Sequence, residues 1–228
     1  MSIAQHEIGP LAAEVPARPE AAGAYKFIKP VLDIALASIL LVLTAPVAIA
    51  AMLMVLLTSR GSAIYTQRRV GRGGKEFTIY KIRTMYEDCE RESGPTWSGP
   101  GDPRVTPVGR VLRSTHLDEL PQLFNVFWGD MSLVGPRPYM LQEDRLYAEI
   151  LRNYADRTRV KPGITGLAQA AGYFGATGDV AAMEKRLYLD ILYVRWWSPV
   201  LDLQILASTL RWLWTPDTLP LKPSFHGT

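Results

Sequence analysis

Asp118 and Glu119 are adjacent carboxylates in a stretch, RVLRSTHLDELPQLFNVFWGDMSLVGPRP from Arg110 to Pro138, that also holds three arginines. Carboxylates and guanidiniums aimed at one spot suit Mg²⁺-assisted chemistry on a phosphorylated substrate. Pro121 suits the first turn of a helix, where its missing N–H is not needed. Leu123, Phe124, Val126 and Phe127 supply an apolar face, and Gly129 is placed to end the helix. The pair therefore falls at or just before a helix N-terminus, among free N–H groups that favour phosphate. Downstream, Gly135-Pro136-Arg137-Pro138 stiffens the backbone around one guanidinium, and Arg113 adds a second cation upstream. A plainer alternative has Asp118 as a cap, Glu119 as a dipole partner and the arginines solvated. A lone Asp-Glu pair would be read that way.

The elements around this stretch must position it at a membrane. Residues 31–57 are almost wholly apolar, with Asp33 near the start and Pro46 in the middle. About 20 such residues cross a hydrocarbon core of roughly 30 Å. Basic residues flank both ends, Lys26 and Lys29 before and Arg60, Arg68, Arg69 and Arg72 after, which weakens the positive-inside signal. Pro46 divides the run into arms of about 20 Å, neither long enough to span alone. Both a kinked span and a re-entrant helix-break-helix satisfy the pattern. Residues 62–83 alternate and are rich in β-formers, and Gly71-Arg72-Gly73-Gly74 reads as a hairpin connection. Lys81 and Arg83 then share one face of the second strand. Residues 86–107 read as a surface loop, followed by a short helix ending near Arg113. Spacing predicts a helix over 139–156, and Lys161-Pro162-Gly163-Ile164-Thr165-Gly166 is a stiff turn whose lysine is long enough to reach a phosphate. From Met183 to Trp214 a charged helix passes into an apolar segment holding four of the six tryptophans, suited to the headgroup level.

Composition sets outer limits. At 228 residues there is room for one ordinary domain and a membrane element. A net charge of +3 suits anionic lipids or phosphorylated substrates and is too weak to argue for nucleic acid. The single cysteine, Cys89, excludes an internal disulfide, and His116 has no partner at metal-ligand spacing. Residues 1–24 are Ala-, Pro- and Glu-rich without periodicity and are expected to be disordered rather than a secretory signal.

The string LDELPQLFNVFWGDMSLVGPRP resembles the signature of the bacterial sugar transferase family, the small monotopic phosphoglycosyl transferases. Tyr80-Lys81-Ile82-Arg83-Thr84-Met85 and Lys161-Pro162-Gly163-Ile164-Thr165-Gly166-Leu167-Ala168-Gln169 extend the likeness, in family order, over about Lys26 to Trp214. The resemblance favours re-entry, because family members carry a proline break in the apolar segment. This chain has Ala45-Pro46 where a Ser-Pro pair is often found, and Lys29-Pro30 where Lys-Arg is common. Phe174 stands where many members have an arginine, which removes one expected phosphate or sugar contact.

The resemblance implies an α+β fold: a small helical domain with a β-hairpin, an N-terminal re-entrant membrane helix and interfacial amphipathic helices. It divides the chain into a tail (1–24), a membrane-inserted segment (25–60), a catalytic domain (61–215) and a C-terminal tail (216–228). The implied activity moves a sugar-1-phosphate, expected to be a hexose-1-phosphate, from a UDP-sugar to polyprenyl (undecaprenyl) phosphate with release of UMP. That reaction starts exopolysaccharide or other glycoconjugate assembly. Asp118 is the implied nucleophile, forming a phosphosugar-enzyme, and Glu119 assists with the proton or with Mg²⁺. Asp118 and Glu119 are the implied metal ligands. Lys81, Arg83, Arg113, Arg137 and Lys161 are the implied substrate contacts. The expected setting is the cytoplasmic face of a bacterial inner membrane, among lipids and without nucleic acid; a homodimer is one option. The competing class is a non-catalytic membrane adaptor that binds a phosphorylated ligand, which would not require the carboxylate pair. A polytopic transferase is disfavoured by the single long apolar segment.

Overall fold

The computed structural model describes residues 23–87, 89, 101–173 and 180–214. The expectations for Phe174, for the C-terminal tail and for most of residues 1–24 and 88–100 fall outside them. Among the described residues the chain is α+β, with seven α-helices and two two-stranded sheets.

Helix α1 (Tyr25–Thr58) carries the apolar run and is long and apolar enough to cross a membrane. Two arms around Pro46 were the sequence expectation, yet the backbone is one 34-residue helix through both Pro30 and Pro46. Its length is about 51 Å at 1.5 Å per residue. The missing N–H of Pro46 removes one i→i−4 bond, and the Thr44 hydroxyl donates to the Leu40 carbonyl at 2.7 Å just before it. Lys29, Asp33, Ala37, Ala51 and Val55 are its buried positions, at spacings that place them along one face. Ala37 joins the main core, while Ala51 and Val55 pack with Ile82 and Leu112. The other faces leave Val31, Val42, Leu43 and Leu57 exposed.

Strands β1 (Ile64–Val70) and β2 (Glu76–Ile82) form the expected antiparallel hairpin, registered from Ile64 opposite Ile82 to Val70 opposite Glu76. A 3₁₀ turn, Arg72–Gly74, closes it, with Gly73 at φ 66° and Gly74 at φ 78°. Both angles lie in the left-handed region, which glycine adopts without a Cβ penalty. Helix α2 (Pro107–Ser114) is capped by Thr106, whose hydroxyl accepts from Gly109 N–H at 2.8 Å. Helix α3 (Gln122–Trp128) starts after Pro121 and ends at Gly129, in the left-handed conformation at φ 85°. Strand β3 (Ser132–Val134) pairs in parallel with β4 (Gly163–Thr165), a pairing the sequence did not reveal. Two three-residue strands are too short to show a period. Between them lies α4 (Leu141–Ile150), and the helix expected over 139–156 ends there because Leu151 turns extended; a left-handed Asn153 then opens a 3₁₀ stretch, Tyr154–Arg159. After α5 (Leu167–Ala170), α6 (Val180–Trp196) fills the core with Met183, Leu187, Ile191 and Tyr193. Helix α7 (Pro199–Trp214) buries Leu201 and Ile205 and exposes Val200, Leu203 and Leu210.

Candidate active site

The carboxylate pair sits on a 3₁₀ turn, Leu117–Glu119, between α2 and α3. The turn is closed by two backbone bonds: Glu119 N–H donates to the His116 carbonyl at 3.1 Å, and the following Leu120 N–H donates to the Leu117 carbonyl at 3.3 Å. The pair is therefore held by its own turn and not by the first turn of α3. His116 enters that turn at φ 58°, uncommon for a residue with a Cβ, and its ring meets Trp212 edge-on at 4.9 Å.

Glu119 is gripped from two sides. Lys81 Nζ donates to its Oε1 at 2.6 Å and an Arg137 guanidinium nitrogen donates to the same oxygen at 3.0 Å. Burial pushes the Glu119 carboxyl up, but Arg137 and Lys81 overcome it and hold the group well below the usual carboxylate range. Glu119 in turn raises the Arg137 guanidinium. Asp118 differs. It is 8% exposed, and among the described residues no group hydrogen-bonds its carboxylate. Burial raises its pKa, with Lys81 the main opposing charge, then Glu119 raising and His116 and Arg113 lowering. One carboxylate is locked and its neighbour is left open.

Packing on three sides sets this geometry. Buried Asn125 on α3 accepts from Tyr80 N–H at 3.2 Å and donates to the Thr78 carbonyl at 2.7 Å, fastening α3 to β2 so that Lys81 reaches Glu119. Arg113 donates through Nε to Thr84 Oγ1 at 2.8 Å. Helix α2 comes that close because Gly109 has no side chain: a Cβ there would lie 1.9 Å from the Thr84 carbonyl oxygen. Beneath Arg137, buried Arg157 donates to the Arg137 carbonyl and, at 3.0 Å, to Asp190, with its guanidinium over Tyr139 and Tyr154. Arg69 donates to the Pro138 carbonyl at 3.3 Å, and burial and the nearby Arg137 lower its pKa to about 10. Sequence reasoning missed Asn125, Arg157 and Arg69. An asparagine on an otherwise apolar helix face was a usable signal for the first; nothing in the sequence pointed to the arginines.

Of the sequence candidates, Asp118, Glu119, Lys81 and Arg137 come together and Arg113 lies beside them. Arg83 is engaged elsewhere. It lies just past β2, buried, and donates to the Ser62, Ser59 and Gly61 carbonyls at 2.6, 3.1 and 3.3 Å, tying the end of α1 to the hairpin. Lys161 is at the far end of α3 from the pair, beside Gly129. There it lines a recess of about 500 Å³ with Arg72, Lys75 and Asp130.

Among the described residues no cluster of three or more His, Cys, Asp or Glu side chains is arranged to hold a metal. The two carboxylates still fit Mg²⁺, which commonly binds one or two carboxylates and completes its shell with substrate phosphates and water. Asp118 is open and Glu119 uses only Oε1 toward Lys81 and Arg137.

The arrangement is similar in sequence to known proteins. A family model described as bacterial sugar transferase matches residues 24–215. The UDP-glucose:undecaprenyl-phosphate glucose-1-phosphate transferase of Caulobacter vibrioides is 47% identical over 191 residues, covering 83% of this chain and 70% of that protein. The Escherichia coli K12 protein of the same name is 42% identical over 188 residues, covering 82% and 40%. A UDP-N-acetylgalactosamine-undecaprenyl-phosphate N-acetylgalactosaminephosphotransferase of Aeromonas hydrophila is 38% identical over 191 residues, covering 84% and 44%. The chain thus spans most of the first relative and less than half of the other two. With nearly its whole described length matched, the chain belongs to the bacterial sugar transferase family.

Proposed function

We propose that the protein transfers a sugar-1-phosphate, a hexose-1-phosphate in the first instance, from a UDP-sugar to undecaprenyl phosphate and releases UMP. The observation that carries the reading is the asymmetry of the pair: Glu119 is fixed by Lys81 and Arg137 while Asp118, one residue earlier, presents an unengaged carboxylate. An Asp118 oxygen attacks the donor β-phosphorus, the bond from that phosphorus to the bridging oxygen breaks, and UMP leaves with that oxygen. An oxygen of the lipid phosphate then attacks the same phosphorus and the Asp118–phosphorus bond breaks, which regenerates the carboxylate and yields a diphosphate-linked lipid sugar. No proton has to leave the nucleophile first once its raised pKa is exceeded. Arg137, anchored through its carbonyl by Arg157, faces the diphosphate, with Lys81 and Arg113 adjacent. When bound, Mg²⁺ held by Asp118 and Glu119 would neutralise charge on the diphosphate.

A lipid acceptor requires the site to sit at a membrane surface. The reading places the catalytic domain on the cytoplasmic face of the inner membrane, with α1 seated in the bilayer and both of its ends on the domain's side. Support comes from the two ends themselves: Lys29 pairs with Asp202 at 2.6 Å, and Val55 packs with Ile82 and Leu112. Contacts from one folded unit to both ends of α1 favour a helix that enters and leaves by the same face. The exposed apolar residues of α7 would complete the interfacial face.

The test is UMP release when membranes containing the protein meet undecaprenyl phosphate and a panel of UDP-sugars. UMP should appear with one hexose donor above the rest, and the protein quenched without acceptor should carry a phosphosugar mass on the peptide containing Asp118. No UMP with any donor would leave the phosphate-binding adaptor as the function. A sugar initiating exopolysaccharide is the expected product class.

A further inference from the structure

Away from the carboxylate pair, a second charged cluster is buried where α1 meets β3 and α7. Lys29, Asp33 and Asp202 are 7%, 8% and 5% exposed. Lys29 Nζ lies 2.6 Å from Asp202 Oδ2 and 3.4 Å from Asp33 Oδ1. Tyr25 OH donates to Asp202 Oδ2 at 2.6 Å. The cluster reaches every residue of β3. Ser132 Oγ donates to Asp33 Oδ2 at 2.7 Å, and Leu133 N–H points to Asp33 Oδ1 at 3.4 Å. The Tyr193 hydroxyl lies 2.8 Å from Asp202 Oδ1 and 3.0 Å from the Val134 carbonyl.

Strand β3 runs directly into the segment that carries Arg137, and that connection has little slack. Gly135 N–H donates to the Thr165 carbonyl at 2.8 Å, and Gly163 N–H to the Pro136 carbonyl at 3.0 Å. A Cβ on Gly135 would lie 2.4 Å from the Lys161 carbonyl oxygen, so the backbone is hemmed in on that side. Two residues later the Arg137 guanidinium reaches Glu119. A buried ion cluster is a poor choice for stability alone, since apolar residues of the same volume often hold as well. What it adds is a fixed register: a carboxylate that must meet one hydroxyl and one N–H permits a single docking of α1 on β3.

We propose that Lys29, Asp33 and Asp202 form a clamp through which the seating of α1 sets the position of Arg137, making Asp33 a positioning residue for phosphosugar transfer. The inference rests on the function proposed above. The test is a double-mutant cycle in native membranes, using Asp33→Asn, Arg137→Ala and the pair, with UMP release as the readout. Asp33→Asn lowers kcat by about tenfold or more and leaves KM for the UDP-sugar within about threefold, because displaced Arg137 is felt in the transition state. Added to Arg137→Ala, it costs no more than about a further twofold. Val55→Ala, which loosens the other end of α1, instead multiplies with Arg137→Ala. Ser132→Ala and Tyr193→Phe each remove one hydroxyl, and they carry the same cycle if Asp33→Asn does not fold. Clamp-variant losses that multiply with Arg137→Ala, or no loss at all from the clamp variants, overturn the proposal. A wild-type protein that releases no UMP overturns the function itself, a separate result.

Discussion

Arg137→Ala is the perturbation whose size the structure constrains best. Its guanidinium gives a charge-assisted bond to Glu119 at 3.0 Å, with the arginine side chain 35% and the glutamate 15% exposed. Lys81, 2.6 Å from Glu119, remains to pair it when Arg137 is removed, so the carboxylate is not left bare and the fold should hold. What is lost is a cation held toward the diphosphate by Arg157 beneath its carbonyl. Hydrogen bonds to charged groups contribute about 1.5–3 kcal/mol, which corresponds to a loss in rate of about ten- to 150-fold. The loss should appear mainly in kcat, because charge moves toward UMP only as the phosphorus bond breaks. Steady-state UMP release across donor concentrations, with thermal unfolding alongside, measures it. Arg137→Lys should recover only part, since one ammonium cannot reproduce the planar fork. Arg72→Ala, at the hairpin turn, should change the rate by less than about threefold. An equal loss from Arg72→Ala, or a pure rise in KM from Arg137→Ala, would show that the arginines act only as surface charge.

Asp118→Asn should abolish transfer and the phosphosugar-enzyme without lowering the melting temperature at pH 7. Burial raises the Asp118 pKa, so the ionised group opposes folding; removing it stabilises the fold above the raised value, and the gain fades as pH falls through that value toward the unfolded one near about 4. A melting temperature lowered at pH 7 would contradict this sign. In the wild type the same shift places the acid limb of kcat above the range of a free aspartate, readable from a pH–rate profile. Arg83→Ala should act on stability, by about 3 kcal/mol or more from three carbonyl contacts, with kcat of the folded protein within about threefold; a large kcat loss at unchanged stability would return Arg83 to the substrate site. For topology, single cysteines at Ser2 and Ser62 in a Cys89→Ser background should both resist a membrane-impermeant thiol reagent until cells are opened, and labelling at position 2 alone would establish a crossing helix.

The sequence alone determined the components whose physics is local. Periodicity and glycine placement predicted the β1–β2 hairpin, Gly129 marked the end of its helix, and the apolar run predicted a membrane-seeking helix. The carboxylate pair and the Gly-Pro-Arg-Pro segment were legible because rare residue types stood together. Tertiary structure decided everything that depends on residues far apart in the chain. It gave Glu119 to Lys81 and Arg137 and left Asp118 open, although adjacent carboxylates look equivalent in a string. It assigned Arg83 to backbone carbonyls and placed Lys161 at the far end of α3, although both are cations in the motifs that carry the family resemblance. It also paired Asp33 with Ser132, 99 residues away, through contacts without a periodic signature. Local propensity acts over a few residues, whereas charge and hydrogen-bond partners are chosen by packing, so the same arginine reads alike in sequence whether it faces a substrate or a carbonyl.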